Sequence, residues 1–231
     1  MYVAGEPRGG GQWRAAVAAA AWPLTLARAD IDPRSAPELV GKGMMRPRLQ
    51  PGPTELRLDF VVRHWVDLDT ILSSTLAGLR DAGWYGRGFG GLRGLLATKT
   101  AVGRPGATIT GARVTRERPP GGVALELAHE VLPRDRAGVR RWRDALAAAW
   151  AGRPPLDQAP SWVDVSLGGD RSRSLLGGLE PVLDALEPVL GRDPRGRTEL
   201  FPNDHLVTWL RVRRGPVDDP PLRVRLGPTA D

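Results

Sequence analysis

Two aspartates, Asp67 and Asp69, stand one residue apart in the segment "VDLDTILSSTLAGLRDAG", residues 66–83. The segment follows the alternating run "TELRLDFVVRHW" and begins an apolar pattern of helical period, so the pair lies at a strand-to-helix junction. Two carboxylates at positions i and i+2 of an extended backbone leave the same face, which suits a hard cation such as Mg²⁺. The alternative is that Asp69 is a helix N-cap and Asp67 a solvated neighbour.

Other polar residues that could take part in chemistry are few. Asp204 lies in "FPNDHLVTWLRV", directly before a second β-branched run, although "PND" is also a common turn sequence. His64 and His205 flank the candidate acids, but single histidines near strand ends are more often structural. Ser73 and Ser74 fall within the predicted helix and have no identifiable histidine partner. The sequence therefore indicates no nucleophilic triad.

Composition excludes several classes of function. The 231 residues include no cysteine, which rules out disulfides, cysteine-ligated zinc and thiol nucleophiles. A membrane span needs about 18 consecutive apolar residues, and no apolar run in the sequence is that long. The alanine stretch "AAVAAAAW" is too short for a span, and no secretory pattern precedes it. We therefore expect a cytoplasmic protein without a membrane partner.

The charge of the chain favours a polyanionic partner but does not require one. The formal net charge is +7, and only Lys42 and Lys99 of the 33 basic residues are lysines. Such an arginine-rich composition is also typical of GC-rich genomes. The segment "RDRAGVRRWRD" places Arg136, Arg140 and Arg143 on one helical face, which could follow DNA phosphates or could be an ordinary solvated face.

The same order of elements can be traced twice along the chain. Each half has an alanine-rich helix opened by a tryptophan (Trp13 or Trp142), a proline-containing loop, an alternating strand, a second helix and two further strands. This pattern predicts an α+β fold made of two tandem halves, residues 1–115 and 122–231, joined through "TRERPPGG". The alternative is a single α+β domain whose helices are alike only in composition.

The segment "VDLDTILSSTLAGL" resembles the central motif of the RusA-type Holliday-junction resolvases, in which a strand ends and a D-L-D-N-L-L-type sequence opens a long helix. The N-terminal "VAGEPRGGGQW" is similar to the opening Gly-x-Pro strand and basic stretch of that family. The resemblance implies a small α+β nuclease that acts as a homodimer and cuts branched DNA with aspartate-bound Mg²⁺. Two copies in one chain would form a fused pseudo-dimer, and we therefore expect a monomer.

The two halves depart from the family pattern in complementary ways. The family has a third acid on the strand after the long helix, which Asp204 matches in the second half, whereas "GFGGLRGLLATK" in the first half has no acid. Arg171 and Arg173 stand where the second half would carry its aspartate pair. Ser73 replaces the family's lysine. Each half has therefore kept a different part of the acidic set.

These observations predict one composite site shared between the halves, in a protein that binds DNA and cleaves branched DNA with Mg²⁺. The predicted catalytic residues and Mg²⁺ ligands are Asp67, Asp69 and Asp204, and the predicted DNA contacts are Arg136, Arg140 and Arg143. Two alternatives remain open. The chain could be a catalytically inactive relative that binds DNA or a protein, or an interaction protein whose basic character reflects genome composition alone.

Overall fold

The computed structural model describes most of the chain. The described residues are 1–8, 10–26, 54–62, 66–85, 89, 91–157, 159–168, 175, 177, 179–194 and 201–230. In the first helix, side chains are described only as far as residue 21. His64, Arg171 and Arg173 lie outside these residues.

Eight strands form one mixed sheet, which confirms the predicted α+β class. The strands are β1 (Tyr2–Ala4), β2 (Glu55–Val61), β3 (Gly94–Thr100), β4 (Gly106–Gly111), β5 (Leu125–His129), β6 (Ser161–Leu167), β7 (Val207–Arg214) and β8 (Leu222–Pro228). Their order across the sheet is β1-β4-β2-β3-β7-β6-β8-β5.

The strand order follows the same pattern when it is counted from either lateral edge of the sheet. The first four strands are ordered β1-β4-β2-β3, and the last four, counted from the opposite edge, β5-β8-β6-β7. Strands β2 and β3 are parallel, as are β6 and β7, and all other pairs are antiparallel. The central pair, β3 with β7, joins the two sets, so the start of β7 lies beside the end of β3.

The helices cover one face of the sheet. They are α1 (Gly11–Leu26), α2 (Leu68–Asp81), α3 (Arg136–Trp150), α4 (Leu179–Asp184) and α5 (Glu187–Leu190). Leu56, Leu58 and Phe60 of β2 alternate into the core with them, as the sequence pattern predicts. No described helix has both the length and the apolar character that crossing a membrane would require.

Two helix predictions were wrong for identifiable reasons. Trp142 is buried in the middle of α3 rather than at its start, because Asp135 caps the helix and accepts the Gly138 N–H at 2.7 Å. The predicted single helix over "RSRSLLGGLEPVLDALEPVLG" is two short helices in its described part. Pro188 lies in the first turn of α5, and since it has no N–H and its ring blocks the preceding turn, α4 cannot continue through it.

Helices α1 and α2 cross at close range over Gly78. A methyl group added at Gly78 would lie 2.6 Å from the carbonyl oxygen of Arg14 and 2.7 Å from Cβ of Val17. Beside this crossing, the indole N–H of Trp13 donates to the Thr75 hydroxyl at 2.8 Å. The crossing holds α2, which follows the aspartate pair, against the N-terminal helix.

We expect Gly78→Ala to lower the free energy of unfolding by about 1–3 kcal/mol, because the added methyl group forces the two helices apart. Urea denaturation measures the change. The matched control is Gly11→Ala, since a methyl group at Gly11 meets no atom within 4 Å. The control should change stability by less than about 1 kcal/mol. Equal losses in the two variants would contradict a tight crossing.

Residues 114–117, which we call the linker because they lie between β4 and β5, pack on the face of the sheet opposite the helices. The 3₁₀ turn of the linker, Val114–Arg116, lies over a small apolar cluster that contains Leu96, Trp162 and Trp209. The Arg211 guanidinium donates to the linker carbonyl oxygens of Val114 at 3.4 Å, of Thr115 at 3.5 Å and of Glu117. Arg211 thus fixes the linker to the centre of the sheet.

A buried ion pair holds Arg211 in this position. Asp164 of β6 accepts two hydrogen bonds from the Arg211 guanidinium, at 2.8 and 2.6 Å. Their side chains are only 1% and 5% exposed. A forked guanidinium–carboxylate pair of this kind is strong and directional, so it fixes β6, β7 and the linker in one arrangement.

Candidate functional site

The predicted acids converge at one end of the central strands although they come from distant parts of the chain. Strands β2 and β3 are parallel and end there, and β7, which is antiparallel to β3, begins there. Asp67 follows β2, and Asp204 lies in the 3₁₀ turn Asp204–Leu206 directly before β7. The pairing of β3 with β7 therefore brings the two aspartates together.

Helix capping does not account for the aspartate pair. Asp67 occupies the N-cap position of α2 with an extended backbone (φ −69°, ψ 135°), but its side chain makes no capping hydrogen bond. Asp69 lies in the first turn, and its carboxylate accepts the N–H of Thr70 at 2.6 Å. A carboxylate at the positive end of a helix is stabilised by the helix dipole. The Asp67 side chain is thus directed to a different interaction.

That interaction is with Asp204. Asp67 lies close to Asp204 and is among the groups that raise the pKa of the Asp204 carboxyl. Burial and the nearby Asp67 and Asp69 carboxylates raise the pKa of Asp204 to about 8, and the positive charge of Lys99 acts in the opposite direction. Burial also raises the pKa of Asp69, and the Asp67 carboxylate adds to the effect. The site therefore concentrates negative charge that its surroundings balance only in part.

Lys99, near the end of β3, supplies the positive charge of the site. Its ammonium donates to the carbonyl oxygens of Val66, at 3.0 Å, and of His205. Burial lowers the pKa of Lys99 to about 8, while Asp67, Asp204 and Asp69 act to raise it. The sequence signal that could have indicated this residue was weak, namely a lysine in a chain whose other basic residues are almost all arginines.

Two further acids reach the site from α4. Glu180 and Asp184 are four residues apart and so share a face of the helix. Glu180 interacts electrostatically with Asp69, and so does Asp184. Burial, together with Glu180 and Asp69, raises the pKa of Asp184 to about 6. Sequence reasoning missed both residues, because nothing local shows that α4 packs near the start of α2.

His205 supports the turn that carries Asp204. Its ring nitrogen Nδ1 lies 3.6 Å from a carboxylate oxygen of Asp193, and both side chains are nearly fully buried. Its carbonyl oxygen accepts the hydrogen bond from Lys99. His205 therefore has a structural position next to the acids, as expected for a histidine beside a strand end.

The donor set suits Mg²⁺ in kind, since it consists of carboxylate oxygens with excess negative charge. Within the described residues, however, no three His, Cys, Asp or Glu side chains are arranged to hold a metal ion together. Asp67, Asp69 and Asp204 are therefore neighbours that influence one another electrostatically, and the Lys99 ammonium among them offsets part of their charge.

The three predicted DNA-contacting arginines do not share one environment. Arg136 and Arg140 of α3 are exposed. Arg143 is half-buried and donates to the Glu187 carboxylate of α5 at 3.1 Å. Arg143 therefore differs from Arg136 and Arg140 in its burial and in its pairing with α5, and the predicted DNA contact of the three arginines stays a prediction.

Comparisons with protein-family models, curated proteins and solved structures found no match to this chain. The function is therefore inferred from the geometry of the site and from the resemblance in its sequence.

Proposed function

We propose that this protein is a Mg²⁺-dependent endonuclease of the RusA type that acts on branched DNA, with one composite active site. The observation that carries the proposal is the pairing of β3 with β7, which brings Asp204 into the neighbourhood of Asp67 and Asp69. Asp204 and the Asp67–Asp69 pair match different parts of the family's acidic set and come from different halves of the chain.

The proposed architecture is a fused pseudo-dimer of two RusA-like halves, residues 1–115 and 122–231, which acts as a monomer. Its support is the strand order, which is the same in both sets of four strands when each is counted from its own edge. The antiparallel β3–β7 pair at the centre is the contact that a two-fold axis would generate. Such an axis would relate the two ends of the central strands to each other, and one of these ends carries the acids.

In the proposed mechanism, Asp67, Asp69 and Asp204 would be the residues that supply oxygen ligands to Mg²⁺. When bound, the ion would orient the scissile phosphate, activate water and stabilise charge on the phosphoryl oxygens. Asp67 and Asp69 lie at the N-terminus of α2, which is the positive end of the helix dipole. Lys99 keeps a positive charge among the acids and so limits their mutual repulsion.

The proposed function is tested with a synthetic four-way junction and a linear duplex of the same sequence. Incubation with Mg²⁺ should produce nicks in the junction that a denaturing gel resolves, whereas the duplex and an EDTA control should stay intact. Equal cutting of both substrates would show a nuclease without preference for branches. Absence of cutting at any Mg²⁺ concentration would remove the enzymatic proposal.

A second candidate function is DNA binding without cleavage. It is favoured by the absence, among the described residues, of three acids already arranged around one point. The same experiment separates the two functions, because a non-catalytic binder would retain the junction in a gel shift and leave its strands whole.

We expect Arg136 and Arg140 to contact DNA phosphates, because both are exposed on one face of α3. Replacing both with Gln should reduce the slope of log affinity against log salt by about 1.8, which is two released counterions. Fluorescence anisotropy over a salt series measures the slope. Arg143→Gln should change it less, since Arg143 is paired with Glu187. An unchanged slope in the double variant would exclude this face.

A further inference from the structure

The sheet face opposite the helices carries two adjacent rows of polar side chains in the second half. Strand register places Asp164 of β6 between Arg211 of β7 and Arg225 of β8, and Glu126 of β5 beyond Arg225. We call this set the balanced row. One position further along the same face, Ser166 lies between Arg213 and Arg223, and these three residues form the arginine row.

The balanced row neutralises itself. Asp164 lies 2.6 Å from the Arg211 guanidinium and 4.0 Å from that of Arg225. Glu126 lies 3.4 Å from Arg225. Two guanidinium groups therefore face two carboxylates within one row, and this part of the surface has no excess charge.

The arginine row has no carboxylate of its own. Among the described residues, Arg213 is ion-paired with Asp164, at 3.5 Å, and Arg223 with Glu126, also at 3.5 Å. Both of those acids already belong to the balanced row. Four arginines thus share these two carboxylates, and with the flanking Asp219 counted this end of the face keeps an excess of one positive charge.

Hydrogen bonding in the arginine row is also incomplete. The Ser166 hydroxyl is buried, and among the described residues it has no hydrogen-bond partner. The same holds for the Nε atoms of Arg213 and Arg223, whose side chains are 25% and 37% exposed. Arg213 Nε nevertheless lies 3.5 Å from the Asp164 carboxylate, and both side chains keep an exposed part that a ligand can contact. Asp219, beside Gly215 at the end of β7, is the acid that flanks this row.

We propose that the arginine row binds a backbone phosphate of the DNA substrate, at a contact separate from the acidic site. This inference rests on the proposed function. Guanidinium groups recognise phosphate oxygens with paired N–H donors, and two long arginine side chains that flank one strand, about 10 Å apart at the backbone, can hold one phosphate between them. Ser166 makes this possible because it occupies the position at which the balanced row has the neutralising Asp164.

The spacing along β7 fits a duplex arm that leaves the acidic site. Arg213 follows Val207 by six residues, or about 20 Å at about 3.3 Å per residue. That distance corresponds to about six base pairs of duplex. A branch point held at the acids would thus place one arm at the distance of the arginine row, beyond the chain segment that covers Arg211.

The test is fluorescence anisotropy with a labelled four-way junction over a salt series, without Mg²⁺. Replacing Arg213 and Arg223 together with Gln should weaken binding at least about 10-fold at 100 mM salt and reduce the salt slope by about 0.9, which corresponds to one phosphate. Ser166→Asp should give a similar loss, because it supplies the row with an internal carboxylate. The matched control is the double variant Arg104→Gln, Arg153→Gln, which removes the same charge from two exposed positions elsewhere.

The outcomes separate this inference from the proposed function. If the wild-type protein binds the junction and the Arg213, Arg223 variant binds equally well, the inference is wrong and the proposed function stands. A loss of the same size in the Arg104, Arg153 control would also overturn it, since the effect would then be one of net charge. If the wild-type protein binds no DNA, the proposed function fails first. Thermal melts check folding, and the double Gln variant tests the row if Ser166→Asp does not fold.

Discussion

Replacing Asp67 with Asn is expected to reduce Mg²⁺-dependent cleavage of branched DNA more than about 100-fold, while DNA binding stays the same or becomes tighter. Removing a residue that only supports a metal ligand lowers metal affinity or activity by about 10–100-fold, and removing a ligand carboxylate itself should lower activity by more. Binding should not weaken, because the substitution removes a negative charge from the neighbourhood of the phosphate. Single-turnover cleavage and anisotropy in EDTA measure the two effects separately.

Asp204→Asn should produce the same loss, although it lies in the other half of the chain. The matched control is Asp81→Asn, which changes a half-buried acid at the far end of α2 that is paired with Arg14 at 2.5 Å. Full activity in Asp67→Asn would remove Asp67 from the site.

A mixture of the Asp67→Asn and Asp204→Asn proteins tests whether the composite site forms within one chain. If both acids of a site come from the same chain, every chain in the mixture lacks one acid and the mixture should remain inactive. If the site formed between two chains, mixed dimers would contain one intact site. Recovery of cleavage in the mixture would therefore contradict a site within a fused monomer.

The second large effect is expected from Asp164→Ala, which should lower the free energy of unfolding by about 3–5 kcal/mol. Removing one partner of a buried ion pair leaves the other charge buried without compensation. The charge left without its partner is that of Arg211, whose side chain is 5% exposed and which holds the linker. Equilibrium urea denaturation followed by tryptophan fluorescence measures the loss.

The first half provides the control for this prediction. Asp59 accepts both hydrogen bonds from Arg57 at 3.0 Å, on the same face of the sheet, but these side chains are 36% and 37% exposed. Asp59→Ala should therefore cost about 1 kcal/mol or less, since solvent screens exposed pairs. Similar losses in the two variants would show that burial of the Asp164–Arg211 pair does not set its contribution.

Local patterns in the sequence determined the elements and their order. Period-two alternation in "TELRLDF" predicted which side chains of β2 enter the core, because a strand directs successive residues to opposite faces. The change to helical period after Asp67 placed the aspartate pair at the start of α2. Each of these signals is carried by residues within a few positions of one another, and the structure has both features where the sequence predicts them.

The composition of the site was decided by tertiary structure. Lys99 enters because β3 ends beside β2, and Asp204 enters because β7 pairs with β3, more than a hundred residues away in sequence. Glu180 reaches Asp69 because α4 packs near the start of α2, and Arg143 is engaged by Glu187 of a neighbouring helix. These contacts depend on strand pairing and helix packing between distant segments, which leave no periodic signal in the residues themselves. The sequence alone therefore located the acids on their elements, and the pairing of β3 with β7 decided that they meet.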